Sequence, residues 1–294
     1  MKQDFRRRSL KKLWWLPILA TANFVGSSAQ AYVDPSFHII RQVARKHSAI
    51  DELRTRSRLT FYNRSGEVVR TFTEIVGFDN LSKVGGRIGD AEGVEVSFKS
   101  RTHLATDKTR PLLYDLLYVR DSEILFERLQ SLGLPLKSET DLYSEKEGIL
   151  PYKPETFVNL KQFEGQALLV IGEFSDRTPQ LWVTKPERQS TSSAAVEGYQ
   201  VARAVFFTSF DGPSGDTLEF RFRNRKEYRG VESKTFFYPT RIEIIKDGYL
   251  WSTIDILELR SGAGASNLDT AHVKAADSNA DSRELLEPYL KWIR

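Results

Sequence analysis

The chain has 294 residues, of which 43 are Lys or Arg and 39 are Asp or Glu, giving a net charge of +4 at pH 7. Residues 1–31 hold six of the basic residues and one acidic residue, so residues 32–294 carry 37 positive and 38 negative charges, a net charge of −1. A chain without excess cations has no electrostatic basis for binding phosphates, which excludes a nucleic-acid-binding role. The absence of cysteine excludes disulfides, a thiolate nucleophile and cysteine-ligated metals.

Residues 1–31 have the organisation of a secretory signal peptide. A segment with six basic residues ends at Lys12, an uncharged and mostly apolar stretch covers residues 13–25, and small residues precede Ala31. This pattern predicts cleavage after Ala31 and a periplasmic location. An uncleaved membrane anchor is the alternative, although Pro17, Thr21, Asn23 and Ser27 interrupt the uncharged run that continues past residue 25. The basic segment also contains R-R-R-S-L-K, which resembles a twin-arginine signal, so the general and the twin-arginine export routes both stay open.

After the leader, the hydrophobic pattern predicts a helix, a series of strands, a second helix, a long loop and more strands. The first helix has apolar residues at helical spacing from Asp34 to Arg54. The second begins at Asp121-Ser122 and ends at Gly133, and the polar segment 137–153 follows as a loop. Alternation and extended patterns predict strands over residues 58–62, 67–78, 94–99, 112–120, 157–160, 166–174, 180–185, 201–210, 217–224, 234–238, 241–245 and 250–259.

Consecutive strands joined by short turns favour an antiparallel meander, and so long a sheet must curl to cover its apolar face. We therefore predict a mostly β fold with helices, in which a curved antiparallel sheet forms an incomplete barrel covered by α-helices. This domain is expected over residues 32–260. A flexible tail with a short C-terminal helix is expected over residues 261–294, because small and polar residues predominate up to Ser282. Gly85–Gly89 is predicted to be a hairpin loop, since no strand-to-helix context supports a nucleotide-binding role.

Patterns that indicate catalysis or metal binding are scarce. The four histidines, at positions 38, 47, 103 and 272, lack the spacing of metal ligands. Two carboxylates from distant positions in the sequence could still act together as catalytic groups. A hydrolase is therefore kept as a third hypothesis, after the two that are given below. Arg221, Arg223 and Arg225 share one face of a predicted strand, where such a run is typical of a solvated surface. The sequence predicts no enzyme activity, no metal and no cofactor.

Two stretches in the second half of the chain resemble the outer-membrane lipoprotein carrier family, which is LolA-like. Pro179–Lys185, P-Q-L-W-V-T-K, looks like the family's P-x-L-W-x-x-K strand. Phe236–Ile256, which contains F-F-Y-P-T-R-I-E-I, a D-G turn and W-S-T-I-D-I, looks like its closing hairpin. The resemblance extends over about residues 35–259. It implies a half-barrel, lidded by helices, whose apolar interior shields the acyl chains of a lipoprotein or lipid.

From the resemblance and the alternation together we expect a soluble, monomeric periplasmic carrier or binder of lipoprotein or lipid acyl chains, acting through a hydrophobic cavity. The alternative is an envelope sensor or protein-interaction module on the same fold, with an envelope membrane protein as its partner. The wall of the cavity is expected to consist of apolar residues on one face of the strands. These candidate ligand-binding residues are Leu59, Phe61, Phe72, Val94, Val96, Phe98, Trp182, Phe220 and Phe222.

Overall fold

A computed structural model provides the structure of the chain. The predicted signal peptide, nearly all of the predicted 137–153 loop and most of the predicted tail lie outside its described residues, which belong to one compact unit. The described residues are 34–79, 83–101, 112–138, 158–172, 178–184, 198–207, 217–230, 232, 234–266 and 280–293.

Helices and strands follow the chain in two blocks of strands separated by a helical pair. The helices are α1 (Ser36–His47), α2 (Leu112–Leu117), α3 (Ser122–Ser131) and α4 (Ala280–Trp292). The strands are β1 (Leu53–Tyr62), β2 (Val68–Asp79), β3 (Lys83–Gly89), β4 (Glu95–Arg101), β5 (Val158–Phe163), β6 (Gln166–Ile171), β7 (Gln180–Thr184), β8 (Gln200–Phe207), β9 (Thr217–Arg229), β10 (Thr235–Lys246) and β11 (Tyr249–Ser261).

All eleven strands belong to one antiparallel sheet with the order β4-β3-β2-β1-β11-β10-β9-β8-β7-β6-β5. Strands β1 to β4 form one meander and β5 to β11 form another, and the pairing of β1 with β11 joins them. Strands β4 and β5 are the two edges, and the described residues do not pair them with each other. The sheet is therefore open, which confirms the predicted mostly β fold with an incomplete antiparallel barrel.

The sheet has an inner face, defined as the face that packs against the helices, and an opposite outer face. One continuous hydrophobic cluster combines inner-face residues of the strands with the buried residues of all four helices. In α1, for example, Ile39, Ile40, Val43 and Ala44 are buried at helical spacing, and α1 packs against α3 and β8. The inner face is thus covered by helices and not by a second sheet.

The segment 112–120, predicted as a strand, is instead helix α2 followed by a short turn. Residues Leu112–Leu117 are all buried, so the apolar run shows neither helical nor strand periodicity. The helix is favoured because its one charged residue, Asp115, accepts a hydrogen bond from Arg128 of the neighbouring α3. The prediction for α3 is confirmed, since Asp121 accepts hydrogen bonds from the backbone N–H groups of Glu123 and Ile124 at its start.

Further elements also differ from those predicted. Gly85–Gly89, predicted as a loop, belongs to β3, which pairs with β2 and β4 on both sides. The first helix ends at His47, and β1 already begins at Leu53. Strand β10 continues through Pro239, joining two predicted strands. Helix α4 is a full helix of 13 residues that contains Pro288.

Candidate functional site

The inner face brings together eight of the nine predicted ligand-wall residues. They all lie in or against the one hydrophobic cluster, on β1, β2, β9 and the β3–β4 edge of the sheet. The exception is Trp182, which packs with Leu168 and Val170 in a separate cluster on the outer face. The register explains this, because Leu181 pairs with the inner-face residue Ala204, so that the next residue of β7 must point the other way. The eight residues are Leu59, Phe61, Phe72, Val94, Val96, Phe98, Phe220 and Phe222.

At one end of the central strands, helix α4 covers a cluster of aromatic rings. The ring centre of Phe61 lies 5.9 Å from that of Phe72, 5.4 Å from Trp251 and 5.8 Å from Tyr289 of α4, all with edge-on geometry. Leu59 pairs directly with Phe72 on β2 and with Ile254 on β11. Three neighbouring strands thus contribute to one apolar surface that α4 covers.

At the other end of the same strands, helix α2 provides the cover. Tyr118, just after α2, stacks on Phe78 of β2 with 4.6 Å between ring centres. The hydroxyl groups of Tyr118 and Tyr238 of β10 are hydrogen-bonded at 2.5 Å in a buried position. Because Phe78 pairs with Leu53 at the start of β1, this contact lies at the opposite end from Phe61.

A buried polar stripe lies on the inner face between these two ends. It consists of Thr55 and Ser57 of β1 and of Glu74 of β2, which pairs with Ser57, and all three residues are at most 1% exposed. The hydroxyl oxygens of Thr55 and Ser57 have no hydrogen-bond partner among the described residues. Ser252 of β11 pairs with Phe61, and its buried hydroxyl oxygen also has no hydrogen-bond partner among the described residues. A buried polar atom that lacks a partner costs about 1–3 kcal/mol, so the stripe is an unusual feature of an apolar face.

Helix α4 meets this stripe through one face. Ser282, Leu286, Tyr289 and Ile293 recur at helical spacing and are all fully or almost fully buried. The Tyr289 hydroxyl donates a hydrogen bond of 2.7 Å to Oε1 of Glu74. The Ser282 hydroxyl is buried without a partner in the described part of the chain. Some of the buried polar groups between α4 and the sheet therefore lack hydrogen-bond partners.

At the β3–β4 edge, a glycine makes room for one of the predicted wall residues. Gly86 pairs with Phe98, and a Cβ atom at Gly86 would overlap the Phe98 ring and come within 2.7 Å of the Ile75 carbonyl oxygen. The aromatic ring thus lies across the position where β3 has no side chain. This explains why a glycine-rich stretch can belong to an interior strand.

Replacing Gly86 by alanine is expected to lower the free energy of unfolding by about 1–3 kcal/mol, because the Phe98 ring must move away from the inner face. Gly89→Ala on the same strand is the matched control, since the nearest atom to its added methyl is the Val94 carbonyl oxygen at 3.2 Å. Urea denaturation of the two variants measures the difference. Equal stability of both variants would show that the ring does not depend on Gly86.

The outer face carries an arginine–aromatic cluster around Phe163 of β5. The guanidinium carbon of Arg203 lies 5.0 Å from the ring centres of both Phe163 and Trp182, and Arg221 and Arg223 lie 5.5 and 5.9 Å from Phe163. Acidic neighbours pair with the same arginines: Arg203 and Arg221 with Glu219, and Arg223 with Glu164 and Glu243.

These ion pairs shift the pKa values of the carboxylates. Burial raises the pKa of Glu219, but hydrogen bonds from Arg203 and Arg221 outweigh it and hold that pKa below its ordinary value. The hydrogen bond from Arg223 likewise lowers the pKa of Glu164. Arg221 and Arg223 are therefore partly exposed and paired with carboxylates, whereas the guanidinium of Arg225, which was predicted to share their solvated face, is buried.

Two buried basic groups lie near the junction of α1 and the α2–α3 connection. Burial lowers the pKa of His47 to about 4, and the nearby charges of Arg120 and Arg225 act in the same direction. The Nδ1 atom of His47 is hydrogen-bonded to the carbonyl oxygen of Val119 at 2.7 Å, so the neutral ring donates there. Burial also lowers the pKa of Arg225 to about 10, and its guanidinium donates to the Gln200 side chain and the Val201 carbonyl.

Sequence reasoning missed the polar stripe and the role of α4. Thr55 and Ser57 have the same parity along β1 as Leu59, so their alternation could have placed them on the inner face. The predicted helix extends to Arg54 and the predicted strand begins only at Arg58, so the prediction leaves Thr55 and Ser57 between the two elements. Helix α4 follows a stretch of small and polar residues. The composition of that stretch does not indicate that Leu286 and Tyr289 pack against the sheet.

None of the described residues form a group of three or more His, Asp or Glu side chains that could hold a metal ion. No described helix has the length and apolar character needed to cross a membrane.

The fold and its covered inner face define a class: an open antiparallel half-barrel with a helical cover. No protein-family model matches the chain, and no curated protein matches it. Among the solved structures to which the chain is similar are ones described as a lipoprotein-sorting protein domain and a LolA superfamily protein.

One is a putative outer membrane lipoprotein-sorting protein domain from Vibrio parahaemolyticus, with 11% identity, coverage of 85% of this chain and 97% of that chain, and a TM-score of 0.37. Another is a LolA superfamily protein from Nitrosomonas europaea, with 12% identity, coverage of 80% and 96%, and a TM-score of 0.42. A third is a DUF1329 family protein from Desulfovibrio piger, with 11% identity, coverage of 79% and 95%, and a TM-score of 0.37.

Proposed function

We propose that this chain is a periplasmic, monomeric carrier or binder of lipoprotein or lipid acyl chains, which it holds against the inner face of the sheet without catalysis. The observation that supports this proposal is the cover of the inner face. An apolar surface contributed by β1, β2 and β11 lies beneath the single helix α4. Buried hydroxyl groups of the helix and of the sheet lack hydrogen-bond partners at this contact. Such a cover can separate from the sheet without breaking any pairing between strands.

The energetics of an acyl ligand suit this surface. Each methylene group moved from water into apolar surroundings contributes about 0.8 kcal/mol, so one long chain is held without covalent chemistry. Leu59, Phe61 and Phe72 would form the floor of the site, and Phe220 and Phe222 would extend it across β9. Trp182 packs in a separate cluster on the outer face, so we do not include it in this proposed site.

Native mass spectrometry of the mature chain purified from the periplasm, followed by extraction and lipid analysis, tests the proposal. The expected result is a stoichiometric acylated molecule that co-purifies with the chain and disappears after organic extraction. A mass equal to that of the chain alone, unchanged after incubation with acyl lipids, would contradict the proposal. Export into the periplasm is tested in the same experiment by the presence of a chain that begins at Tyr32.

The arginine–aromatic cluster around Phe163 supports a second candidate function, an envelope sensor or protein-interaction module. Phe163 is only half-buried although three arginines surround it, and aromatic and arginine side chains are frequent at the centres of protein interfaces. Capture of one envelope membrane protein by the purified chain, lost in Phe163→Asp and retained in the exposed control Lys161→Asp, would favour this candidate. Capture that is equal in the two variants would oppose it.

A further inference from the structure

We infer that helix α4 occupies part of the ligand site, and that the ligand which replaces it joins its acyl chain to an uncharged hydrogen-bond donor such as an amide or hydroxyl group. This inference rests on the proposed function and deepens it. It assigns two parts to the site: the aromatic surface around Phe61 for the acyl chain, and the polar stripe with Glu74 for the group at the end of that chain.

Helix α4 covers the surface as an acyl chain would. Leu286, Tyr289 and Ile293 present apolar atoms to the inner face, and the Tyr289 ring contacts Phe61 directly. Helix α4 is joined to β11 through residues 262–279, whereas α2 and α3 lie between strands β4 and β5. Displacing α4 therefore leaves all eleven strands and the other three helices in place.

The contact with α4 leaves polar groups of the sheet without hydrogen-bond partners, and another molecule could pair with them. Thr55, Ser57 and Ser252 keep buried hydroxyl oxygens without a partner while α4 is in place. Tyr289 supplies one donor to Glu74 at 2.7 Å. A ligand with several polar atoms beside its acyl chain can pair with these hydroxyls as well as with the carboxylate, and it then binds the same surface with fewer unsatisfied groups.

Glu74 determines the chemistry of the group at the end of the chain. Oε1 of Glu74 accepts the hydrogen bond of the Tyr289 hydroxyl, so a ligand group that takes the place of Tyr289 at this atom must also be a donor. An ionised phosphate or carboxylate lacks a hydrogen to donate to this oxygen and would bring its own charge into a buried position. An amide N–H or a hydroxyl meets the requirement and pairs also with the neighbouring serine hydroxyls.

The test uses the full-length mature chain and two probes with the same twelve-carbon chain: N-dodecanoyl-alanine amide, which is uncharged, and dodecyl phosphate. Leu286→Asp detaches α4, because it places a charge in the buried face of the helix. Glu287→Asp is the matched control, since the neighbouring residue is exposed and the introduced residue is the same. Circular dichroism verifies that each variant is folded.

Calorimetric titration is expected to show that the amide probe binds Leu286→Asp about tenfold more tightly than the unmodified chain, with Glu287→Asp unchanged. Hydrogen exchange of residues 280–293 in the unmodified chain is expected to increase when the probe is added. Equal affinity for the unmodified chain and Leu286→Asp, with no change in exchange, would overturn the role of α4. Should Leu286→Asp fail to fold, Tyr289→Phe removes only the hydroxyl and is expected to raise the affinity by about threefold.

The preference for a donor is tested separately with Glu74→Gln. This change is expected to reduce the ratio of the amide to the phosphate affinity by about tenfold, because the side-chain amide of glutamine can donate to a phosphate as well as accept from an amide. An unchanged ratio would overturn the assignment of Glu74. If neither probe binds any folded variant, the proposed function fails together with the inference, and this result differs from binding that is indifferent to α4.

Discussion

Replacing Asp115 by alanine is expected to lower the free energy of unfolding by about 3–5 kcal/mol. Asp115 in α2 and Arg128 in α3 form an ion pair at 2.9 Å between Nε and Oδ2, and their side chains are 1% and 2% exposed. Removal of the carboxylate leaves the guanidinium charge buried without this partner. Because both helices cover the inner face, the loss is expected to affect the whole fold and not only a local turn.

A double-mutant cycle separates the ion pair from simple packing. Asp115→Leu combined with Arg128→Met replaces both charges by apolar groups of similar volume, and this double variant is expected to be clearly more stable than either single variant. Chemical denaturation of the four chains supplies the comparison. Additive losses in the double variant would show that the two charges do not depend on each other.

Acidification from pH 6.5 to pH 4 is expected to lower the free energy of unfolding by about 3 kcal/mol through His47 alone. The folded chain holds the His47 pKa at about 4, below its ordinary value of 6.5. In this pH range the unfolded chain therefore binds more protons than the folded one, so stability falls as the pH falls. The depressed pKa values of Glu164 and Glu219 act at lower pH, because a carboxylate contributes stability above its ordinary value and loses it below.

Denaturation curves measured at several pH values for the unmodified chain and for His47→Gln test this expectation. The variant is expected to show a much smaller slope between pH 6.5 and pH 4.5 than the unmodified chain. His38→Gln, a change of the same kind in a partly exposed residue of α1, serves as the control and is expected to keep the original slope. A slope that His47→Gln leaves intact would assign the pH dependence to other groups.

The alternation of the strands made the fold class predictable, and the pairing of the strands shows where alternation fails. Phe61, Phe72 and Phe220 lie on strands with one polar face, so their inward direction followed from sequence alone. Trp182 lies on β7, where Leu181, Trp182 and Val183 are all buried because both faces of the sheet are covered there. A strand that is apolar on both faces lacks the alternation that tells inward from outward residues. Only the pairing of Leu181 with Ala204 shows which face of the sheet each side chain of β7 lies on.

Helix α2 and strand β3 show two further limits of sequence reasoning. The run at Leu112–Leu117 is buried on all sides, and its choice of helix depends on Arg128, a residue that a local window does not include. Gly86 belongs to a strand because the Phe98 ring fills the space beside it. The helix at Leu112–Leu117 and the strand at Gly86 both depend on contacts between elements. Local propensity does not take such contacts into account.

The pairing of β1 with β11 has a consequence for how the chain reaches its folded state. Leu59 and Ile254 lie side by side in the middle of the sheet although they come from opposite ends of the sequence. During synthesis, the edge of β1 that will receive β11 has no partner until nearly the whole chain has been made. Contacts of such long sequence separation form slowly, and an unpaired edge is open to association with other chains. We therefore expect folding of this protein to be slow and to depend on protection of β1 until its last strand arrives.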